Sequence, residues 1–474
     1  MTDLRLFNSL TRQLDPFQPV HANEARVYSC GPTVYNYQHI GNMRAYVFAD
    51  TLGRVLRFKG YDLRHIINIT DVGHLTSDAD AGDDKMEKAA ASAGKTAWDI
   101  AAFYTGEFKR DLKWLNVTDP AKWTVATDYV PAMIKYAKSI ADKHCYELDS
   151  GLYFDVSTVP DYGRLARAAT EDGEGRIDEV GGKRHQADFA IWRKTPAGET
   201  RQMEWDSPWG RGAPGWHLEC SVMSAAELGM PFDIHTGGID HREIHHPNEI
   251  AQNQAFCGSD ASGANIWMHN NFLIDRGGKM SKSAGEFLRL QLLVDRGYHP
   301  LAYRMMCLQA HYRSELEFSW EGLGAALVRL KRMVMGVQSL KVELSDGIVG
   351  MVGTVTANFD SELSNDLNTS NVLSLLDAVI SMKKANNEKK MAVIEEMDSV
   401  LGLNLLTLTR QDLRIRPKTA TITEDEIDAA LMQRKEARTA KDFATSDRLR
   451  DELAAQGVEV MDGDPLGWDW KLGK

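Results

Sequence analysis

The sequence predicts an α/β protein: a Rossmann-like parallel-sheet domain split by an insertion, followed by an α-helical bundle and a small C-terminal module. Three observations lead to that class. Near the N-terminus a strand, a Gly-Pro turn, a helix and a second strand succeed one another as in the opening of a doubly wound sheet. Between residues 146 and 212 the composition turns rich in Gly, Pro and Trp, with short strand-like runs. After about residue 315 the apolar residues fall into the period of helices.

Taken in order, Val27-Tyr-Ser-Cys30 reads as a short buried strand that breaks at Gly31-Pro32-Thr33. A polar-capped stretch from about Asn42 to Lys59 reads as a helix ended by Gly60, and 63–69 as the next strand. Ligands of such a fold sit at the carboxyl ends of its strands, so residues 1–75 predict the first half of a nucleotide-binding domain. Residues 77–130 read as charged helix interrupted at Gly94. The insertion offers strand candidates such as Gly151-Leu-Tyr-Phe-Asp-Val156. The main sheet is expected to resume near Trp216, with a strand at 232–235, a loop at Thr236-Gly-Gly238 and a helix from His245 to Phe256.

In the stretch from Glu315 to Leu406, Ala325, Leu327, Leu330, Met333 and Leu340 mark one helix face, and Val372, Leu375, Leu376 and Val379 another. Residues 411–421, with Pro417 and no period, predict a linker. Thr423-Glu-Asp-Glu426 is a capping box that opens the terminal module, whose second helix runs from Asp442 to about Gln456 and stops at Gly457. The expected division is 1–114 for the first half of the sheet domain, 115–213 for the insertion and 214–260 for the second half. A connecting segment at 261–314, a bundle at 315–410, and a linker with terminal module at 411–474 complete it.

A chain of 474 residues exceeds one compact core, which excludes a single small binding module. With 43% hydrophobic and 26% charged residues it is neither disordered nor fibrous. The start has no apolar run behind a basic end, and nothing approaches the roughly 18 apolar residues of a membrane span, so a cytoplasmic protein without a membrane partner is expected. A net charge of −12 excludes a uniformly basic polyanion binder while leaving room for a local basic track. The five cysteines, Cys30, Cys145, Cys220, Cys257 and Cys307, are scattered and odd in number. That argues against a disulfide framework and leaves metal ligand, nucleophile or core residue.

Three constellations can carry chemistry. Gly277-Gly-Lys279-Met-Ser-Lys282-Ser283 sets two lysines three apart on a glycine-led loop, suited to a triphosphate or simply to solvent. His39-Ile-Gly41-Asn42 falls where a strand turns into a helix. There Gly41 lets an adenine approach the backbone and His39 can donate to phosphate oxygens, or merely cap the helix. Cys30, Cys220, His245 and Glu249 are all zinc-ligand types, and His245 and Glu249 share one helix face. The plainer reading buries the two cysteines in the core.

Together, the blocks Tyr28-Ser-Cys-Gly-Pro-Thr-Val-Tyr-Asn-Tyr-Gln-His-Ile-Gly-Asn42, Trp205-Asp-Ser-Pro-Trp-Gly210, Pro214-Gly-Trp-His-Leu-Glu-Cys-Ser221, Phe232-Asp-Ile-His-Thr-Gly-Gly-Ile-Asp240, His245-His-Pro-Asn-Glu-Ile-Ala-Gln252 and Lys279-Met-Ser-Lys-Ser283 resemble the cysteinyl-tRNA synthetases, a class I aminoacyl-tRNA synthetase family. The resemblance runs from Leu4 to Trp470. It implies one Zn²⁺ per chain, held by Cys30, Cys220, His245 and Glu249, which selects a substrate thiolate over a serine hydroxyl. It implies that Thr33, Thr70, Trp216 and His235 surround L-cysteine. It further implies that His39, Gly41, Asn42, Gly238, Asp240, Lys279 and Lys282 serve ATP, which arrives with Mg²⁺, and that His39, Asn42, Lys279 and Lys282 are the catalytic set. The reaction implied is cysteine activation to an adenylate, then transfer to the 3′-terminal adenosine of tRNA(Cys).

In the terminal module Arg438, Phe443, Asp447 and Trp470 match anticodon-reading positions, and either Asp462 or Asp464 matches a further one. A monomer is expected by the same analogy. The sequence departs from the family pattern in three places: Asn42 stands for the second His of the commonest class I motif, Phe443 for a Trp, and Pro247 for a Glu in the first turn before Glu249, where proline is tolerated. Ligases that join cysteine to an amino sugar share the zinc and nucleotide motifs but typically end after the bundle, so residues 423–474 favour the tRNA enzyme.

Overall fold

The computed structural model describes residues 1–72, 85–166, 181–275, 278–279, 288–342, 351–383 and 385–472. Five strands form its central sheet: β1 (Glu24–Ser29), β2 (Asp62–Ile69), β3 (Lys122–Val125), β4 (Phe232–Gly238) and β5 (Ala264–Asn270). All neighbours are parallel, in the order β5-β4-β1-β2-β3. The last five residues of β2 and the first six of β4 are buried, the signature of strands covered on both faces. Helix α1 (Ile40–Phe58) crosses from β1 to β2 and buries Met43, Val47, Leu52 and Val55. Helices α2 (Trp216–Leu228) and α3 (His245–Cys257) pack together beside the sheet. Because strand order reverses between β1 and β4, their carboxyl ends diverge and open a crevice there.

A separate four-stranded antiparallel sheet of Cys145–Leu148, Gly151–Phe154, Phe189–Lys194 and Gly212–Pro214 makes up the inserted module. Four helices, Trp320–Val342, Met351–Ser364, Thr369–Ser381 and Asn387–Leu401, form the bundle. The terminal module pairs α4 (Glu424–Thr439) with α5 (Phe443–Ala455) and closes with a hairpin of Val458–Val460 and Trp468–Trp470. The capping box is formed: the Glu426 amide donates to Thr423 Oγ1 and the Thr423 amide to Glu426 Oε2. Among the described residues no helix is long and apolar enough to cross a membrane.

Four expectations are corrected. Lys122–Val125, expected to be helical, is a core strand paired with β2, so the sheet domain continues past residue 114 and the inserted sheet begins only at Cys145. Trp216 opens a helix, and the main sheet resumes at β4. Thr236-Gly-Gly238 is strand, not loop, because Thr236 and Gly238 pair with Met268 and Asn270 on β5. β5 in turn places residues 264–270 in the core sheet, beyond the expected limit at 260. The terminal hairpin had no counterpart in the sequence reading.

Candidate active site

A cavity of about 390 Å³ opens at the carboxyl ends of β1, β2, β4 and β5. His39, Gly41 and Asn42 line one flank, Gly238, Asp240 and Asn270 the other, and Cys30, Cys220 and His245 the floor. Two sequence constraints shape it. A side chain at Gly31 would place its Cβ 1.5 Å from the Asn68 carbonyl oxygen, so only glycine lets the chain after β1 pass this close to β2. At Gly237 a Cβ would fall 2.6 Å from the ring of His246.

His39 is the N-cap of α1, with its Nδ1 accepting from the Gly41 amide at 3.0 Å. An accepting Nδ1 fixes the neutral tautomer with the proton on Nε2, leaving that N–H as the ring's donor. Asn42 donates to Gln38 Oε1 at 2.9 Å in the same turn. The class I motif is thus built into a helix start, where backbone N–H groups and the helix dipole favour anions.

At the floor, one donor atom each from Cys30, Cys220 and His245, and from Glu249 just beneath them, lies within 4.8 Å of the others. His245 and Glu249 are one turn apart on α3, Cys220 sits on α2 and Cys30 follows β1. Hydrogen bonding with Cys30 pulls the Cys220 thiol down to about 6, while burial and Cys220 hold the Cys30 thiol well above its ordinary range. Burial opposes charge on His245, but Glu249 and Cys220 outweigh it and raise the ring to about 10. Glu249 is likewise held at about 2, burial being outweighed by His235 and His245. Glu249 Oε1 has no hydrogen-bond partner although His245 Nε2 is 3.0 Å away. Two thiols, an imidazole and an orphaned carboxylate oxygen converging on one point fit a zinc ion.

A second set, Cys30, His235, His246 and Glu249, shares two of these donors. His235 does not line the cavity. It lies behind Glu249, with Nε2 2.9 Å from Oε2 and its ring stacked on Trp267. The other expected amino-acid contacts do line the cavity. Thr33 and Thr70 form a bridge between the two loops, and the Trp216 ring lies 4.3 Å from that of His245. Glu219, not singled out in the sequence, accepts from Thr70 Oγ1 at 2.9 Å, and burial raises its carboxyl well above the usual range. His241 also lines the cavity, and burial holds it neutral at about 4. The available signals were adjacency to Asp240 for His241 and to Cys220 for Glu219.

The backbone of Lys279 belongs to a short strand, Gly278–Lys279, paired with Leu273–Asp275. Lys282 lies outside the described residues. In the terminal module a second cavity of about 440 Å³ is lined by Arg434, Arg438 and Asp462. Asp462 accepts from Arg434 at 2.9 and 3.0 Å and from Arg438 at 2.8 Å. Asp464 is instead tied to Arg410 beneath the module. Phe443, 62% exposed, and Asp447, paired with Arg450, are on the surface. Trp470 is a correction: it is buried with Ile427, Leu453 and Trp468 in the module's core and offers no face to a base.

A doubly wound parallel sheet whose first crossover helix starts at His39-Ile-Gly-Asn42, beside a cavity at the switch point, is the architecture of a class I aminoacyl-tRNA synthetase. Residues 16–327 match the family model described as tRNA synthetases class I (C) catalytic domain, and 423–465 the cysteinyl-tRNA ligase anticodon binding domain. The fold resembles methionyl-tRNA synthetase of Mycobacterium tuberculosis, with TM-score 0.53 and 13% identity, covering 82% of this chain and 92% of that one. It also resembles a leucyl enzyme from Agrobacterium radiobacter at TM-score 0.55 and 13% identity, covering 82% and 84%. Cysteine–tRNA ligase of Novosphingobium aromaticivorans is 69% identical, covering 99% of this chain and 97% of its own length. That of Zymomonas mobilis is 52% identical, covering 98% and 97%. The chain belongs to the cysteinyl-tRNA synthetase family.

Proposed function

We infer that the chain is a cysteine–tRNA ligase that activates L-cysteine with ATP and transfers it to tRNA(Cys). The observation that carries the reading is the set of four converging donors at the floor of the cavity whose rim is the His39 cap. Cys30, Cys220, His245 and Glu249 would hold one Zn²⁺. Bound there, zinc supplies a thiol-selective binding position that a serine hydroxyl, protonated at neutral pH, does not fill. Such discrimination needs no second, hydrolytic site.

Trp216, Thr33 and Thr70 enclose the amino acid, Glu219 holds the Thr70 hydroxyl, and His235 acts through Glu249. Gly41 admits the adenine to the start of α1, and Gly238 with Asp240 takes the adenosine side. The cysteine carboxylate attacks the α-phosphate in line, forming the acyl–phosphate bond as pyrophosphate leaves. His39 Nε2–H and the amides at the helix start meet the charge that develops on phosphate, with Asn42 holding that turn. Lys279 and Lys282 hold the leaving pyrophosphate, whose charge the Mg²⁺ that accompanies ATP would share. The 2′-hydroxyl of the terminal adenosine then attacks the adenylate carbonyl and AMP departs.

Arg438, Phe443, Asp447 and Asp462 meet the anticodon loop, where aromatic stacking and arginine contacts suit unstacked bases. We take the protein as a cytoplasmic monomer, a state that sedimentation checks. The functional test is pyrophosphate–ATP exchange beside acylation of tRNA. Both should depend on cysteine. Exchange without tRNA charging would overturn the transfer step and point to an amino-sugar acceptor.

A further inference from the structure

His246 follows the ligand His245 on α3 yet faces the sheet. Its Nε2 lies 3.3 Å from Cys30 Sγ and its Nδ1 2.8 Å from His269 Nε2, and His269 Nδ1 lies 2.8 Å from Ser9 Oγ. All three residues are buried. They come from separate segments: Ser9 from the turn between strands Arg5–Asn8 and Gln13–Pro16, His269 from β5 and His246 from α3. Gly237 leaves the room that His246 occupies.

We propose that Ser9, His269 and His246 form a one-way hydrogen-bond relay that holds an N–H on the Cys30 sulfur and so positions that ligand. The inference rests on the metal reading above. A zinc-bound sulfur carries no proton, so it accepts, and His246 donates from Nε2. A neutral His246 then accepts at Nδ1 from His269 Nε2–H, and a neutral His269 accepts at Nδ1 from the Ser9 hydroxyl. Every contact is satisfied in this one direction. If His246 were itself a ligand, in the alternative set with His235, its Nε2 would carry no proton and every bond of the chain would run the other way. Outer partners of this kind fix ligand orientation, and His246, His269 and Ser9 are positioning residues that touch no substrate.

The test uses the full-length, zinc-loaded chain labelled with ¹⁵N-histidine. Long-range ¹H–¹⁵N correlation reads the tautomers, and transfer to a chelator reads zinc release. The relay requires His246 and His269 both as Nε2–H. His246→Ala should release zinc roughly 10- to 100-fold faster. His246→Gln, which keeps an amide N–H near the sulfur, should restore most of the retention. Ser9→Ala, the variant least disturbing to the fold, should give a smaller acceleration and admit the other tautomer at His269. An Nδ1–H proton on His246 in the zinc-loaded chain, or release unchanged in Ser9→Ala, overturns the relay. A wild-type sample that takes up no zinc refutes the metal site itself, which separates that failure from failure of the relay.

Discussion

The cap that His39 provides and the donor role proposed for it fall on two different nitrogens, and substitution separates them. Nδ1 caps α1 by accepting from the Gly41 amide at 3.0 Å, and Nε2–H is the donor assigned to the transferring phosphate. In His39→Asn the amide oxygen takes the place of Nδ1, so the cap is kept while the distal donor is lost. In His39→Ala both go. Loss of a cap costs about 1 kcal/mol, roughly a fivefold rise in opening of the first turn. Loss of one donor aimed at transition-state charge costs about 3–4 kcal/mol, roughly 100- to 1,000-fold in turnover. Pyrophosphate–ATP exchange at saturating substrates should therefore fall by that larger factor in both variants. Hydrogen exchange at the Gly41 amide should quicken only in His39→Ala. Exchange activity near wild type in His39→Asn would refute the reasoning, because the cap alone would then account for the histidine.

Three further outcomes follow from the geometry. In Gly31→Ala the new Cβ collides with the Asn68 carbonyl, so β1 and β2 must part where Cys30 is held; a destabilisation of at least about 3 kcal/mol and lower zinc content are expected, read by thermal melting and metal analysis. Burial holds His65 at about 4, below its ordinary 6.5, and its Nε2 contacts Ser29 Oγ at 2.8 Å. The unfolded chain therefore takes up this proton first, so stability present above pH 6.5 falls by up to about 3 kcal/mol between pH 6.5 and 4. His65→Gln should flatten the slope of stability over that window. Phe443→Ala removes an exposed ring from the terminal module and should weaken tRNA binding by about 1–3 kcal/mol, raising KM for tRNA while cysteine-dependent pyrophosphate exchange stays unchanged.

The first crossover was legible because its signals are contiguous: a strand, Gly31-Pro32, the His39 cap and α1 lie within a few dozen residues. β3 and β5 were not: Lys122–Val125 is a half-exposed edge strand of four residues lying in sequence between two helices, and Ala264–Asn270, buried at all but one position, shows no alternation. Thr236-Gly-Gly238 reads as a loop because glycine signals a turn, yet a parallel ladder needs no side chain, and the missing Cβ of Gly237 makes room for His246 and that of Gly238 for Asp240. The metal donors were legible as residue types and as matches to family blocks. Their convergence was not, because Cys30 and Cys220 lie on separate elements joined through the whole sheet. Trp470 misled for a related reason: a tryptophan near a chain end reads equally as a surface platform or as core, and only the hairpin with Trp468 decides between them. The outer histidines were hidden because their partners are remote in sequence: His246 meets Cys30, and His269 meets Ser9 in the first hairpin turn.

Zinc content measured together with cysteine-dependent pyrophosphate–ATP exchange, in wild type and Cys220→Ser, tests the central claim most directly. Wild type should hold one zinc per chain and respond to cysteine but not serine, whereas Cys220→Ser, with the fold intact by circular dichroism, should lose zinc and exchange together. Full exchange from a zinc-free sample, or a Cys220→Ser variant that keeps both, would contradict the account.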